Sequence, residues 1–185
     1  MKILIIGTGR SGKDTVAEIL RDEYGLTFQS SSQAAADIFL YEKLKPEFGY
    51  ETPEECYVDR HNHRVRWHDE ISAYNTPDKA KLAKGILKDN DMYVGMRSKS
   101  EIEECRWQGL FDFVVWVDAS ERISYKEGKE SMDITSEDAD YILYNNKDLD
   151  HLRAEVEELW FIIKGKIDKF NKMEAEFLEQ TFHAL

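Results

Sequence analysis

The sequence predicts an α/β fold, a three-layer sandwich with a parallel central sheet and helices on both faces, ending in one long helix. Three observations carry this. Short apolar runs at residues 2–6, 92–97, 111–117 and 141–144 have strand length, and segments of helical spacing separate them. Runs of that kind suit strands buried on both faces, and their alternation with helices makes a parallel sheet. From residue 148 onward Leu152, Val156, Leu159, Ile163, Ile167, Phe170, Met173 and Phe177 recur every three or four residues, which reads as a single helix. The chain has 185 residues with no internal repeat or low-complexity linker, which fits one domain with a sizeable core.

The first strand leads into the most informative stretch, GTGRSGKDT. Gly7, Thr8, Gly9, Arg10, Ser11, Gly12, Lys13, Asp14 and Thr15 stand between the apolar run and a helix carrying Val16, Ala17, Ile19 and Leu20. Strand, glycine loop, lysine and helix follow in the order a Walker A phosphate loop requires. Glycines let backbone N–H groups approach phosphate, the helix start adds its positive dipole end, and Lys13 adds a full charge. Asp14 stands where most such loops carry Ser or Thr. The ending Gly12-Lys13-Asp14-Thr15 resembles the Gly-Lys-x-Thr of nucleoside monophosphate kinases, which implies that Thr15 contacts phosphate and Mg²⁺. An ordinary tight strand–helix turn is the alternative.

Charged residues make up 34% of the chain and the formal net charge is −12, which disfavours broad electrostatic binding to nucleic acid or membrane while allowing a local basic groove. Cys56 and Cys105 match no metal spacing and read as two reduced thiols. No apolar run approaches membrane-span length, and the amino terminus enters a strand without a basic leader.

Further along, Gly25 caps the first helix and residues 26–28 form a short second strand. Residues 29–32 are polar and lead into a helix at 33–44. Ser30 to Gln33 could touch a base, although plain capping accounts for any one serine. After a break at 46–53, residues 54–74 read as one helix. It carries Arg60, His61, His63, Arg64, Arg66 and His68, a basic cluster against the global charge. Arg60, Arg64 and His68 would share a face at i, i+4, i+8. Guanidinium groups suit phosphate, and Tyr57 or Trp67 could stack on a base. The competing reading is a solvated helix paired with its own Glu54, Glu55, Asp69 and Glu70. A helix at 78–87 precedes the strand ending in Gly95 and Arg97, whose position at a carboxyl end suits phosphate contact.

A helix at 100–107 and Gly109 precede the most apolar strand, and Asp118 closes that strand. Asp118 is either a Mg²⁺-organising acid or a turn-capping aspartate. Residues 121–132, with Arg122, Lys126, Gly128 and Lys129, read as a short lid loop over ATP phosphates. Asn145-Asn146 ends the last strand, and the resemblance to P-loop kinases implies backbone contacts to adenine in the loop that follows. The first half of the last helix should pack on the sheet, and the second half could project and pair with another chain as a homodimer.

The whole chain resembles phage-type deoxynucleoside monophosphate kinases of the P-loop class, through GTGRSGKDTVAEIL, VGMRSKSEIEECRWQGLFDFVVWVD and SMDITSEDADYILYNNKDLDHL. The resemblance implies ATP and Mg²⁺ as cofactors, a nucleotide-type acceptor, no membrane partner and a cytoplasmic setting, that of the host if viral. In it Lys13 and Arg122 would be catalytic, Thr15 and Asp118 would organise Mg²⁺, and Arg60, Arg64 and Arg97 would hold the acceptor. Asp59-Arg60-His61 is similar to the Asp-Arg-Tyr or Asp-Arg-His element of thymidylate and viral thymidine kinases. The compact layout is also similar to the 5-hydroxymethyluracil DNA kinases of phages with hypermodified thymine. A hydroxyl acceptor there benefits from a carboxylate base, for which Asp59 is the candidate, and a flipped base could rest on Tyr57 or Trp67. A free deoxynucleoside monophosphate is the alternative acceptor. A nucleotide-hydrolysing switch or a binding protein that kept the loop is the alternative of another class.

Overall fold

The computed structural model describes residues 1–124 and 132–182, so most of the expected lid, with Lys126, Gly128 and Lys129, lies outside the described residues. Five strands form one parallel sheet: β1 (Ile3–Ile6), β2 (Phe28–Ser30), β3 (Met92–Val94), β4 (Phe113–Asp118) and β5 (Tyr141–Tyr144), in the order β2-β3-β1-β4-β5. β1 lies at the centre and is fully buried, which explains its unbroken apolar run. Its alternation divides the core. Ile3 and Ile5 face α1 (Lys13–Tyr24) and α8 (Leu149–Phe182), meeting Val16, Leu20, Val156 and Leu159. Leu4 and Ile6 face the opposite layer, built by α6 (Lys81–Leu87) and α7 (Lys99–Trp107), meeting Ala83, Ile86 and Ile102.

The strand order reverses at β1: the chain crosses from β1 toward β3 and β2 on one side, and toward β4 and β5 on the other. A crevice at the carboxyl ends of such strands is where an open α/β sheet collects ligands. This is the three-layer architecture of P-loop proteins, and the glycine loop leaves the central strand directly into α1.

Several boundaries differ from the sequence reading. β2 begins two residues later than expected, because the Thr27 N–H and hydroxyl both bond the Asp91 carboxylate and fix the register Phe28 opposite Met92. The expected helix at 33–44 starts at α2 (Ser31–Ala35), where Ser30 caps Gln33 N, then makes a π-turn at Ala36–Leu40 and continues as α3 (Tyr41–Phe48). Pro46 therefore lies inside a helix. Its missing N–H costs a hydrogen bond, but Leu44 on that helix and Leu40 just before it are fully buried and hold it in place. The single helix expected at 54–74 is two, α4 (Pro53–Asp59) and α5 (Arg64–Tyr74), joined by a 3₁₀ turn at Arg60–Asn62. Asp59 causes the break locally: its carboxylate accepts bonds from Asn62 and His63, an alternative to continued helix.

The segment from α2 to α5 builds its own small core around Leu40, Leu44, Tyr50, Cys56 and Trp67. Both cysteines are buried and unbridged. α8 packs on the sheet through Ile163 and Ile167, and Trp160 stacks on Tyr24 with ring centroids 4.8 Å apart. Beyond that point Phe170 and Met173 are exposed. No helix among the described residues is long and apolar enough to cross a membrane.

Candidate active site

The loop after β1 has the backbone its glycines foretell. Gly7 has φ +146°, and a Cβ there would lie 2.6 Å from the Val117 carbonyl oxygen on β4, so no other residue fits. Arg10 takes the left-handed conformation with φ 66°, uncommon for a residue with a side chain, and its side chain is exposed. Gly12 has φ +94° and is the N-cap of α1. Ser11 is fully buried, and its hydroxyl has no partner among the described residues. Lys13 is nearly buried at the start of α1, and its Nζ donates to the Thr8 carbonyl at 2.6 Å. The ammonium is thus folded back over its own loop. Asp14 is exposed in the first turn of α1, and Thr15 is half-buried beside it.

The ends of β4 and β5 close on this loop. Asp118 Oδ2 accepts bonds from Ser120 N, Ser120 Oγ and Asn146 Nδ2. Burial opposes its ionisation, but these donors outweigh it and hold the carboxyl below its ordinary value. Arg122 Nε donates to the Asn145 carbonyl at 2.5 Å, and its Nη2 lies 3.5 Å from the Ser11 carbonyl. Arg122 thus stands against the glycine loop after β1. Asn145 is 6% exposed and its Nδ2 donates to the Ser11 carbonyl at 2.8 Å. Sequence reasoning gives Asn145 only a backbone role toward adenine; its side-chain bond joins residues 134 positions apart and has no local signal.

The expected acceptor residues are only partly brought together. Arg60 lies over the Tyr57 ring, its Cζ 3.9 Å from the centroid, and its Nη1 donates to the Tyr57 carbonyl. Arg64 is exposed on α5, but the 3₁₀ turn takes Arg60 out of the i, i+4, i+8 series expected with Arg64 and His68. Trp67 is corrected outright. It is 4% exposed inside the small core of the α2–α5 segment, so it supports that segment and presents no stacking face. Asp59 Oδ2 accepts from the Tyr50 hydroxyl at 2.7 Å and pairs with His63 Nε2 at 3.0 Å, while Oδ1 accepts from Asn62. These bonds, Tyr50's foremost, hold its carboxyl below the ordinary value. Arg66, of the same basic cluster, is bonded to Glu70, which also pairs with Lys43. Arg97 follows β3 beside β1; its carbonyl accepts from Asp133 N, which ties the turn before α7 to residue 133.

The sequence matches no protein-family model and no curated protein. Among solved structures, the fold is similar to a shikimate kinase from Bacteroides thetaiotaomicron at 11% identity and a TM-score of 0.46, covering 89% of this chain and 98% of that one. It is also similar to a shikimate kinase from Aquifex aeolicus (12% identity, TM-score 0.45, 90% and 98% covered). A gluconokinase from Sinorhizobium meliloti gives 12% identity and a TM-score of 0.45, with 89% and 96% covered. These likenesses are low, and the fold assignment stands on the chain's own sheet order and the glycine loop between β1 and α1.

Proposed function

We propose that this protein is an ATP-dependent phosphotransferase acting on a deoxypyrimidine-type acceptor. The observation that carries the reading is the phosphate loop between β1 and α1, with Lys13 folded onto Thr8 and Arg122 leaning on Ser11. In this reading the backbone N–H groups from Gly9 to Lys13 cradle the phosphates, and Lys13 and Arg122 stabilise charge in transfer. No group of three or more His, Cys, Asp or Glu side chains arranged for a metal occurs among the described residues. Mg²⁺ would then be held mainly by the ATP phosphates, with the Thr15 hydroxyl and the ionised Asp118 beside it, and would neutralise phosphate charge.

The acceptor we favour is the 5-hydroxymethyl group of 5-hydroxymethyluracil in DNA, a step in thymine hypermodification that protects phage DNA from host restriction. The hydroxyl oxygen bonds to the γ-phosphorus as the bond to the bridging β-oxygen breaks, leaving ADP. The hydroxyl proton passes to Asp59, which has to exchange one of its present donors for that hydroxyl. Tyr57, with Arg60 over its ring, offers the extruded base a stacking partner, and Arg60, Arg64 and Arg97 take backbone phosphates. The second reading is a deoxynucleoside monophosphate kinase. It is favoured by the three hydrogen-bonding partners already on Asp59, because a phosphate acceptor is an oxyanion and needs no base. The deciding experiment supplies γ-labelled ATP with duplex DNA containing 5-hydroxymethyluracil, thymine-only DNA, and a panel of free deoxynucleoside monophosphates. Label confined to the modified DNA supports the first acceptor, and a labelled diphosphate supports the second. Phosphate released with no acceptor labelled would make the protein a nucleotide hydrolase.

A further inference from the structure

The geometry points to Asn145 as a positioning residue that sets the phosphate loop and Arg122 in register from behind. The inference deepens the phosphotransferase reading and rests on it. Asn145 places three of its four polar groups on candidate active-site parts. Its N–H donates to the Asp118 carbonyl at 2.7 Å, its carbonyl receives Arg122 Nε at 2.5 Å, and its Nδ2 donates to the Ser11 carbonyl at 2.8 Å. One buried residue at the end of β5 therefore joins the phosphate loop, the strand carrying Asp118 and the arginine of the lid segment.

The Ser11 contact has a direct consequence for phosphate binding. A trans peptide is planar, with its C=O and N–H pointing in opposite directions, and no peptide bond here is cis. Asn145 draws the Ser11 carbonyl back toward β5, so the N–H of Gly12 in the same peptide faces away from Asn145. The loop also leaves room for this residue: a Cβ on Gly12 would run into Asn145 Nδ2. Gly12 is thus required by an internal side chain as well as by its φ of +94°. The residue type follows from the same contacts. The Ser11 carbonyl needs a donor, the space admits a short arm, and a carboxylate would set negative charge against a carbonyl oxygen. Asn146 extends the brace, with Nδ2 on Asp118 Oδ2 at 3.0 Å and Oδ1 accepting Glu121 N at 3.1 Å.

The test compares Asn145→Ala with Asn75→Ala by measuring Mg·ATP dissociation constants calorimetrically, together with melting temperatures. Asn75 is a buried asparagine of similar duty away from the loop; it donates to Glu101 and accepts from Leu82 N. Loss of a buried hydrogen-bond donor in each should lower the melting temperature. Only Asn145→Ala should weaken ATP binding, by about tenfold or more. Asn145→Asp, nearly the same size with a carboxylate at that position, should bind ATP more weakly still. Should Asn145→Ala be too unstable to handle, Asn145→Ser, which keeps a donor on a shorter arm, should lie between wild type and Asn145→Asp. Equal ATP affinity in wild type and the soluble Asn145 variants would overturn the inference and leave the phosphotransferase reading standing. Failure of the wild-type protein itself to bind Mg·ATP would instead overturn that reading.

Discussion

At the residue scale the site is a set of charges held by carbonyls and amides. Lys13 rests on the Thr8 carbonyl, and in the proposed reading it follows the transferred phosphate. Lys13→Ala should remove γ-phosphoryl transfer by at least about a thousandfold while the far-ultraviolet dichroism stays unchanged, since a transition-state cation is worth roughly that much or more. Unchanged transfer would exclude the loop as the phosphate site. Glu101 also has an unusual environment. Burial raises its carboxyl above the ordinary value, opposed by the Asn75 amide that donates to it at 2.9 Å. A carboxyl so held binds its proton more tightly folded than unfolded. Its contribution to stability is therefore best at low pH and declines as pH rises from about 4.3 through the raised value. Glu101→Gln should accordingly raise the melting temperature at pH 7 and change it little at pH 4. Asp59 and Asp118 have the opposite sign: both are held below the ordinary value, so the stability they contribute is present near neutral pH and is lost as pH falls through their folded values.

At the element scale, α8 does two jobs along its length. Its amino-terminal part covers one face of the sheet, with Leu152, Val156, Leu159 and Ile163 all buried. Its later turns carry the exposed Phe170 and Met173. Leu159→Ala should cost about 3 kcal/mol in denaturant unfolding, as for a fully buried leucine, whereas Phe170→Ala should change stability by less than about 0.5 kcal/mol. A large loss for Phe170→Ala would mean that the exposed turns are covered in solution, as the homodimer expected from the sequence would require, and sedimentation at two concentrations would then show it. The α2–α5 segment gives a different lesson. Periodicity joined α4 and α5 into one helix, because Arg60, Arg64 and His68 keep helical spacing across the junction. Hydrogen bonds from Asn62 and His63 to Asp59 decided otherwise. Trp67 shows the same limit: a tryptophan among arginines reads as a stacking platform until its neighbours Leu40, Leu44 and Tyr50 are known.

At the scale of the whole molecule, a net charge of −12 has to coexist with a polyanionic acceptor if the acceptor is DNA. Arg60, Arg64 and Arg97 are the proposed phosphate contacts. Three such contacts predict a slope of log affinity against log salt of about −2 to −3, from roughly 0.9 counterions released per phosphate. A slope of about −6 or steeper, measured on duplex DNA containing 5-hydroxymethyluracil, would require a basic surface that these three arginines do not make.

The sequence by itself determined the parallel α/β class, the five strands to within three residues at each end, the glycine–lysine loop between the first strand and the first helix, and the long last helix. Each is written in local order: apolar runs of strand length, glycines beside a lysine, and a period of three to four residues. Which strands lie together, and what each loop leans on, are contacts between residues far apart in the chain. The tertiary structure alone decided that Asn145 grips Ser11, that Gly7 leaves room for the Val117 carbonyl, that Arg122 meets the loop, and that Trp67 is core. Hydrophobic pattern fixes where a chain is buried, but a polar side chain's role depends on the partner that folding brings within hydrogen-bond distance.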